Sequence, residues 1–252
     1  MKEKLKRCLD EWRCLLRETP ALLLCVFVTS VFAMNLLANK NMSLPVSWFA
    51  LDCGTLLSWI AFLCMDILTK HFGPRAATFL SVFSLGMHFL FCGVLFLASI
   101  IPGVWSMAAD AAYSEMINTA LDQTFGGTWY VLLGSGFAFL LSAIVNNFSN
   151  STVLRLFKNK DSLSAFLTAG YVSTALGQFV DNLVFSLAVS HVFFGWSFLQ
   201  CVMSALGCML FEMLCQGLFA GAGYRTCQKW RQAGVGKEYF ALLEKHKAEK
   251  KA

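Results

Sequence analysis

Residues 76–101 read AATFLSVFSLGMHFLFCGVLFLASII and contain no Asp, Glu, Lys or Arg. As an α-helix with a rise of about 1.5 Å per residue, this run can cross the roughly 30 Å hydrocarbon core of a membrane. Five further apolar runs lie at 21–38, 46–68, 128–147, 163–192 and 195–219. The chain is 57% hydrophobic and only 14% charged, which leaves too few charges for a water-facing surface. We therefore predict an all-α, polytopic membrane protein with six transmembrane helices.

The distribution of Lys and Arg predicts the orientation of these helices. Of the 20 basic residues, 19 lie in the N-terminal arm, the second and fourth loops and the C-terminal tail; the other is Lys40 in the first loop. Basic loops remain in the cytoplasm, so we predict that both termini are cytoplasmic (N-in/C-in). The expected domains are a basic cytoplasmic arm at 1–20, a six-helix membrane domain at 21–222 with a non-spanning outer loop at 102–127, and a basic cytoplasmic tail at 223–252.

The basic flanks have two further interpretations. Such segments commonly bind anionic lipid headgroups, so we expect contact with the bilayer and none with nucleic acid. The arm and first run also resemble a signal peptide with a cleavage site after residue 33. Because cleavage there would place the basic loops outside, we expect the first span to be retained.

Motifs for catalysis or metal binding are absent from the sequence. Its ten cysteines form no C-x-x-C pair and its four histidines have no metal-ligand spacing, so we expect no metal and no cofactor. Neither a phosphate-binding Gly-rich loop nor a G-x-S-x-G motif occurs. Gly217 and Gly221 have the spacing of a helix contact, which could serve a homodimer or packing within one chain.

Acidic residues inside the apolar runs are the strongest indication of function. An ionised acid at the centre of a membrane helix costs about 2.5–3.5 kcal/mol, so such residues usually face a cavity. Depth along the predicted helices separates the polar residues into two layers. The outer layer contains Asn35, Asn39, Asp52, Gln178, Asp181 and Asn182. The inner layer contains Asp66, Asn146, Asn147, Glu212 and Gln216, of which Asn146, Asn147 and Glu212 could form an inner gate.

Asp52 and Asp66 are separated by fourteen residues, which would place them on one face of a helix, about 21 Å apart. This spacing is typical of a helix that lines a cavity with two mouths, although the amides could instead link helices for packing. Carboxylates without intramembrane Arg or Lys disfavour an anionic substrate. A neutral or cationic small molecule rich in N–H donors, such as a guanine-like ring, would fit.

Two segments resemble a known family. Asp66-Ile-Leu-Thr-Lys70-His-Phe-Gly73, followed by Ala76-Ala77, is similar to the D-x-x-x-E-x-[YF]-G-x-x-x-A segment of the vitamin-uptake-type transporters, also called queuosine precursor transporters. Ser173-Thr174-Ala-Leu-Gly-Gln178-Phe-Val-Asp181-Asn182 is similar to the family's S-T-x-x-x-Q-x-x-D-[TN] segment. With the six apolar runs, the resemblance extends over residues 21–225.

The resemblance implies import of a 7-deazapurine precursor of queuosine, such as 7-cyano-7-deazaguanine or queuine. It implies substrate contact or gating for Asp66, Ser173, Thr174, Gln178 and Asp181. The chain departs from the family at two positions, with Lys70 where Glu is common and Ala169 where Arg often stands. One binding charge would then be reversed and another lost, which leaves room for a different solute.

Three functions remain open at this stage. The first is a bacterial inner-membrane transporter that works without its own ATPase. The second is the substrate-binding (S) subunit of an energy-coupling-factor vitamin transporter, which is also a small six-span protein. The third is a membrane enzyme that uses Asp or Glu as acid or base; since no nucleophile and base are paired in the sequence, we expect that the protein is not an enzyme.

Overall fold

In the computed structural model, residues 2–42, 45–46, 50–105 and 110–249 are described, with side chains from residue 6 to residue 248 of these ranges. The main helices are α1 (Lys2–Glu18), α2 (Ala21–Leu37), α3 (Thr55–Phe72), α4 (Pro74–Ile100), α5 (Ala111–Asp122), α6 (Trp129–Arg155), α7 (Leu163–Phe185), α8 (Val192–Phe194), α9 (Phe198–Ala233) and α10 (Lys237–Glu249). Short π-helical segments, Gln123–Gly127 and Ser186–His191, precede α6 and α8. Strands β1 (Asn41–Met42) and β2 (Leu51–Asp52) lie between α2 and α3.

Five helical segments within the described ranges are long and apolar enough to cross a membrane. They are Thr55–Phe72, Pro74–Ile100, Trp129–Arg155, Leu163–Phe194 and Phe198–Ala233. A sixth crossing exists if the bent pair Lys6–Glu18 and Ala21–Leu37 counts as one span. The bend of 105° falls at Pro20, which lacks an N–H and disfavours helical backbone in the residue before it. The prediction of an apolar, multi-helix membrane protein is therefore confirmed.

The prediction that residues 46–68 form one helix is wrong at its first half. Asn41–Met42 pairs antiparallel with Leu51–Asp52, and α3 begins only at Thr55. Asp52 therefore lies in a strand, so the expected helical stripe from Asp52 to Asp66 does not exist. A β-carbon on Gly54 would strike the backbone carbonyl of Met34, so glycine permits this close approach of the turn to α2. Hydropathy missed the hairpin because strands of two residues are far shorter than the window of about 19 residues in which a membrane span is recognised.

Small and aromatic side chains form the packed centre of the bundle. Phe27 of α2, Phe62 of α3 and Phe139 of α6 are fully buried, and the Phe27 and Phe139 ring centroids are 6.4 Å apart. Small buried residues allow the backbones to approach closely, among them Ala61, Ala76, Ala77, Ala143 and Ala169. The outer surface of the bundle is also apolar, as expected of a surface in contact with lipid. Leu210, Leu214 and Leu218 form one exposed stripe along α9.

Gly217 packs inside the chain. A β-carbon at this position would strike the hydroxyl of Tyr171 on α7, whereas one at Gly221 would meet nothing within 4 Å. The contact between α7 and α9 therefore accounts for Gly217, the first glycine of the G-x-x-x-G spacing.

Polar contacts gather where α1 and α10 pack together, which we name the tail end of the bundle. Arg17 forms an ion pair with Glu238, and His246 Nδ1 lies 2.7 Å from Glu11 Oε1. The end that carries the β1–β2 pair is named the hairpin end.

Asp161, in the loop between α6 and α7, connects three elements at the tail end. Its carboxylate pairs with Arg231 of α9 and lies 3.6 Å from Lys70 Nζ of α3. Its backbone carbonyl accepts hydrogen bonds from the Tyr224 hydroxyl (3.0 Å) and the Gln228 amide (3.2 Å). Lys70, which stands in place of the Glu of the resembled D-x-x-x-E segment, therefore has a loop acid as its partner.

Asp161→Asn is expected to destabilise the tail end modestly. The hydrogen bond from Arg231 is the main cause that holds the pKa of Asp161 below its usual value of 3.8, with attraction to Arg231 and Lys70 adding to it against partial burial. Because the pair is partly exposed, the loss is about 0.2–1 kcal/mol, or a few degrees at most in melting temperature. A thermal melt of the detergent-solubilised protein measures this.

The pH dependence gives the second part of this test. A lowered pKa in the folded state means that the stabilisation is present above pH 3.8 and is lost as pH falls through the lowered pKa. The difference between Asp161→Asn and the original chain should therefore be constant at neutral pH and shrink in strong acid. Glu115→Gln, which changes an exposed acid on α5, is the matched control. An equal effect of both variants would contradict the ion-pair assignment.

Candidate functional site

A small polar cavity lies between α2, α3, α6, α7 and α9, towards the hairpin end. Its volume is about 30 Å³, enough for one or two water molecules. Its polar lining residues are Asn35, Asp52, Thr55, Ser58, Ser135, Asp181, Asn182 and Glu212. Apolar side chains, including Met34, Ala138 and Phe185, complete the wall. We name this space the three-acid cavity.

Each of the three acids lies on a different element. Asp52 accepts a hydrogen bond from the backbone N–H of Thr55 at 3.2 Å, which links the hairpin to the start of α3. Asp181 of α7 accepts one from the Ser142 hydroxyl of α6 at 3.1 Å. Glu212 of α9 accepts one through Oε1 from the Ser58 hydroxyl of α3. The carboxylates are therefore fixed by neutral hydroxyl and amide donors, and among the described residues no Lys or Arg lines the cavity.

Two buried atoms of the lining have no hydrogen-bond partner. Asn35 accepts the Ser135 hydroxyl at 2.6 Å through Oδ1, while its Nδ2 is unpaired. Glu212 Oε2 is also unpaired, and both residues are 1% exposed. A buried polar group without a partner costs about 1–3 kcal/mol, so the cavity offers a donor and an acceptor to a bound solute.

Glu212 lies at a different depth in the bundle from the one predicted from the sequence. It was predicted to lie with Asp66, Asn146 and Asn147 in an inner layer, but it lines the same cavity as Asp52 and Asp181. The physical reason is that α9 extends to Ala233, well past the predicted end of the span at 219, so Glu212 lies in the first half of the helix and not near its inner end.

Asp66 forms a second polar site, closer to the tail end, and its side chain is fully buried. Five side-chain donors from three other helices surround its carboxylate. They are Gln216 (2.6 Å), Asn150 (2.8 Å), Ser173 (3.1 Å), Asn146 (3.4 Å) and Thr174 (3.4 Å). We name these six residues the Asp66 cluster. It joins α3, α6, α7 and α9 at a single point.

Close packing leaves little free space in the Asp66 cluster. A β-carbon on Gly170 would lie 3.0 Å from Asp66 Oδ2 and 3.2 Å from Gln216 Nε2. A β-carbon on Gly177 would lie 3.0 Å from that of Asn146. Glycine at these positions of α7 allows the helix to approach the acid. Asp66, Ser173 and Thr174 therefore do not line the three-acid cavity.

The remaining residues of the sequence-based site have separate positions. Gln178 is fully buried between the two sites on α7, and neither atom of its side-chain amide has a partner. Asn182 lines the cavity and donates to the Gln178 backbone carbonyl at 2.9 Å. Asn147 links helices, with its Oδ1 3.1 Å from the Thr69 hydroxyl. Asn39 lies beyond the cavity lining and donates to the Leu36 carbonyl at 3.0 Å.

Several site residues were missed from sequence. Asn150 lies one turn after Asn146, but the apolar run was taken to end at Asn147, whereas α6 extends to Arg155. Ser58, Ser135 and Ser142 hold the acids and amides of the cavity, yet serine is common in membrane helices and carries little signal. The helical spacing of Asn146 and Asn150 could have identified Asn150.

Comparison with known proteins supplies the family. Residues 52–224 match the family model described as "Putative vitamin uptake transporter". The chain is 30% identical over 163 residues to the "Probable queuosine precursor transporter" of Bacillus subtilis (strain 168). That alignment covers 64% of this chain and 66% of the relative, just under two thirds of its length. No solved structure matches the chain.

Both names describe transport and not a catalysed reaction. The apolar helices identify the membrane as the place where the chain resides. Because the family match extends over more than half of the chain, this protein belongs to the vitamin uptake transporter family, and it is a multi-pass protein of the bacterial inner membrane.

Proposed function

We propose that this protein imports a queuosine precursor, a 7-deazapurine such as 7-cyano-7-deazaguanine or queuine, and binds it in the three-acid cavity. The observation that carries the proposal is a buried space lined by three carboxylates with no basic residue among its lining. The printed name of the Bacillus subtilis relative supports the substrate class.

The chemistry of the lining supports a solute with several N–H donors. A guanine-type edge presents adjacent N–H groups, and one carboxylate accepts two of them in parallel. Asp181 and Glu212 each receive only one side-chain hydroxyl, so both retain free acceptor capacity. Asn35 Nδ2, the unpaired donor of the lining, can donate to the carbonyl or ring nitrogen of such a solute. A phosphorylated solute would meet only repulsion.

The size of the cavity implies that the helices move during transport. Pockets for drug-sized molecules usually have volumes of about 300–1,000 Å³, whereas this one has about 30 Å³. A deazapurine would therefore require α2, α7 and α9 to separate from α3. In this proposal the cavity is closed, because its walls bond to one another through Ser58, Ser135 and Ser142, and these hydrogen bonds break when the solute enters.

The orientation completes the proposal, with both termini in the cytoplasm and six crossings. The α1–α10 contact supports an even number of crossings, because it holds the two ends of the chain on one side of the bundle. The excess of Lys and Arg on that side supports its cytoplasmic location. In this arrangement α1 (within 1–20) lies along the inner surface, 102–127 is the outer loop and 223–252 is the tail.

Asp52→Asn, Asp181→Asn and the double variant test the proposed cavity. Each change keeps the size of the side chain but removes the charge that strengthens an N–H hydrogen bond. A loss of about 1.5–3 kcal/mol per bond corresponds to roughly tenfold to hundredfold weaker binding. The measurement is a thermal-shift titration with 7-cyano-7-deazaguanine, followed by uptake into liposomes. Glu115→Gln is the control and should bind normally.

Unchanged uptake by the double variant would refute the three-acid cavity as the binding site. Uptake by this protein alone supports a transporter that needs no ATPase module. If binding is normal but liposomes show no uptake, and the protein purifies with two ATPases and a coupling subunit, the S-subunit function is correct instead. The absence of binding to any deazapurine would contradict the proposed substrate.

Reporter fusions test the orientation. Green fluorescent protein attached at the C-terminus is expected to fluoresce, because it folds in the cytoplasm. Alkaline phosphatase, which is active only outside the cytoplasm, is expected to be active when inserted after Gly103 and inactive when inserted after Asn159. Active phosphatase after Asn159 would contradict the proposed arrangement of α6 and α7.

A further inference from the structure

The Asp66 cluster holds an acid that has no counter-charge in contact with it. Among the described residues, its hydrogen-bond partners are two hydroxyls and three amides, and neither Lys nor Arg is among them. All six side chains are 2% exposed or less. A buried, uncompensated negative charge inside a membrane bundle is costly, and it creates a strong potential for a cation.

The amides of the cluster carry a second, independent feature. Asn146 Oδ1, Asn150 Oδ1 and Gln216 Oε1 are buried and have no hydrogen-bond partner. Each belongs to an amide whose nitrogen contacts Asp66. Oxygen and nitrogen of such an amide exchange places by a simple flip, which would turn the unpaired oxygen to the carboxylate side. Three unsatisfied acceptors thus belong to amides that contact one acid.

We propose that the Asp66 cluster is a binding site for Na⁺. Its six ligand oxygens would be one carboxylate oxygen of Asp66, the hydroxyls of Ser173 and Thr174, and the amide oxygens of Asn146, Asn150 and Gln216. Hard cations take six or more such oxygens, from carboxylates, carbonyls and hydroxyls. The absence of Cys and His spacing in the sequence does not bear on this site, because Na⁺ requires neither.

Binding of Na⁺ requires the cluster to open. Ca²⁺, which has about the radius of Na⁺, binds oxygen at about 2.3–2.6 Å, so neighbouring oxygens of its shell lie roughly 3.4 Å apart. The five partner atoms, three amide nitrogens and two hydroxyl oxygens, lie 2.6–3.4 Å from the carboxylate oxygens of Asp66. The three amides must therefore flip, and the side chains must move apart, before six oxygens can surround an ion.

Charge and valence select Na⁺ over the alternatives. One carboxylate balances one positive charge, so a divalent ion would leave an uncompensated charge in the bundle. A proton on Asp66 would also neutralise the carboxylate, but the resulting O–H donates to only one acceptor. A coordinated ion satisfies the three amide oxygens and the carboxylate together.

The position of the cluster connects it with the three-acid cavity. Glu212 precedes Gln216 by four residues, so cavity and cluster lie one turn apart on α9, about 6 Å along the axis. Helices α3, α6 and α7 also contribute to both sites. An ion that draws these helices together would hold the cavity in its binding shape. This coupling rests on the proposed import function, whereas the ion site does not.

A thermal melt of the detergent-solubilised full chain tests the ion site. Stability is measured in NaCl, KCl and choline chloride at equal ionic strength and fixed pH. We expect a saturable rise in melting temperature with Na⁺ and none with choline, because an ion that binds only the folded state stabilises it. Equal curves in all three salts would overturn the proposal. A melting temperature that follows pH but not Na⁺ would overturn it in favour of a proton.

Variants locate the ion within the bundle. Asp66→Asn should abolish the response to Na⁺, and Gly170→Ala should weaken it by crowding the acid. Thr174→Val keeps the shape but removes one ligand oxygen, and it should raise the Na⁺ concentration at half-effect roughly tenfold. Ser81→Ala, which removes a fully buried hydroxyl bonded within α4, is the control. If Asp66→Asn fails to fold, Thr174→Val decides; a normal response from it would contradict the site.

The two proposals fail separately. A Na⁺ response without any deazapurine binding preserves the ion site and removes the substrate. Deazapurine binding without a Na⁺ response preserves the substrate and removes the ion site. If both hold, Na⁺ should lower the deazapurine concentration at half-binding in the original chain and not in Thr174→Val.

Discussion

Asp66 imposes the constraint on which the bundle depends. A carboxylate with no exposed surface, in a helix that crosses a membrane, must find all its partners inside the protein. Those partners come from α6, α7 and α9, so the acid fixes how far each helix slides along α3. Helices in lipid gain little from burial of apolar surface against one another, and small residues with buried polar contacts therefore set the packing. Gly170 lies where the backbone of α7 packs closely against the carboxylate of Asp66.

The three-acid cavity follows from the same register. Ser58 precedes Asp66 by two turns on α3, Glu212 precedes Gln216 by one turn on α9, and Asp181 follows Thr174 by about two turns on α7. Ser58, Glu212 and Asp181 are therefore all displaced from the Asp66 cluster towards the hairpin end. Asp181 follows Thr174 in sequence, whereas the other two precede their cluster residues, because α7 runs antiparallel to α3 and α9. Once the Asp66 cluster aligns the helices, the cavity acids meet at a second level. A shift of α9 by one turn at the cluster would move Glu212 out of the cavity.

The sequence predicted which segments form helices better than it predicted the depth at which their polar residues lie. Length and apolarity place α4 at Pro74–Ile100, close to the predicted 76–101, because a membrane span has few other solutions. They failed at residues 50–54, where strand β2 and a turn at Gly54 replace the predicted helix. Asp181 and Asn182 could be assigned to the outer layer from their depth along the run 163–192. Glu212 could not be assigned to the same cavity, because α9 extends beyond the predicted end of its run at 219.

The two ends of the bundle are closed by different interactions. Between the three-acid cavity and the tail end lie first the Asp66 cluster and then the ion pairs of Asp161 with Lys70 and Arg231. Towards the hairpin end the cavity is bounded by Asp52 and the turn at Gly54, which bond to the first turn of α3 through the Asp52 carboxylate and the Gly54 carbonyl. The Ala50 N–H, just before this turn, also donates to the Ser204 hydroxyl of α9. Opening the tail end requires the loss of buried contacts from four helices, whereas opening the hairpin end disturbs a short, partly exposed turn. A solute that enters by the hairpin end therefore meets the weaker barrier first.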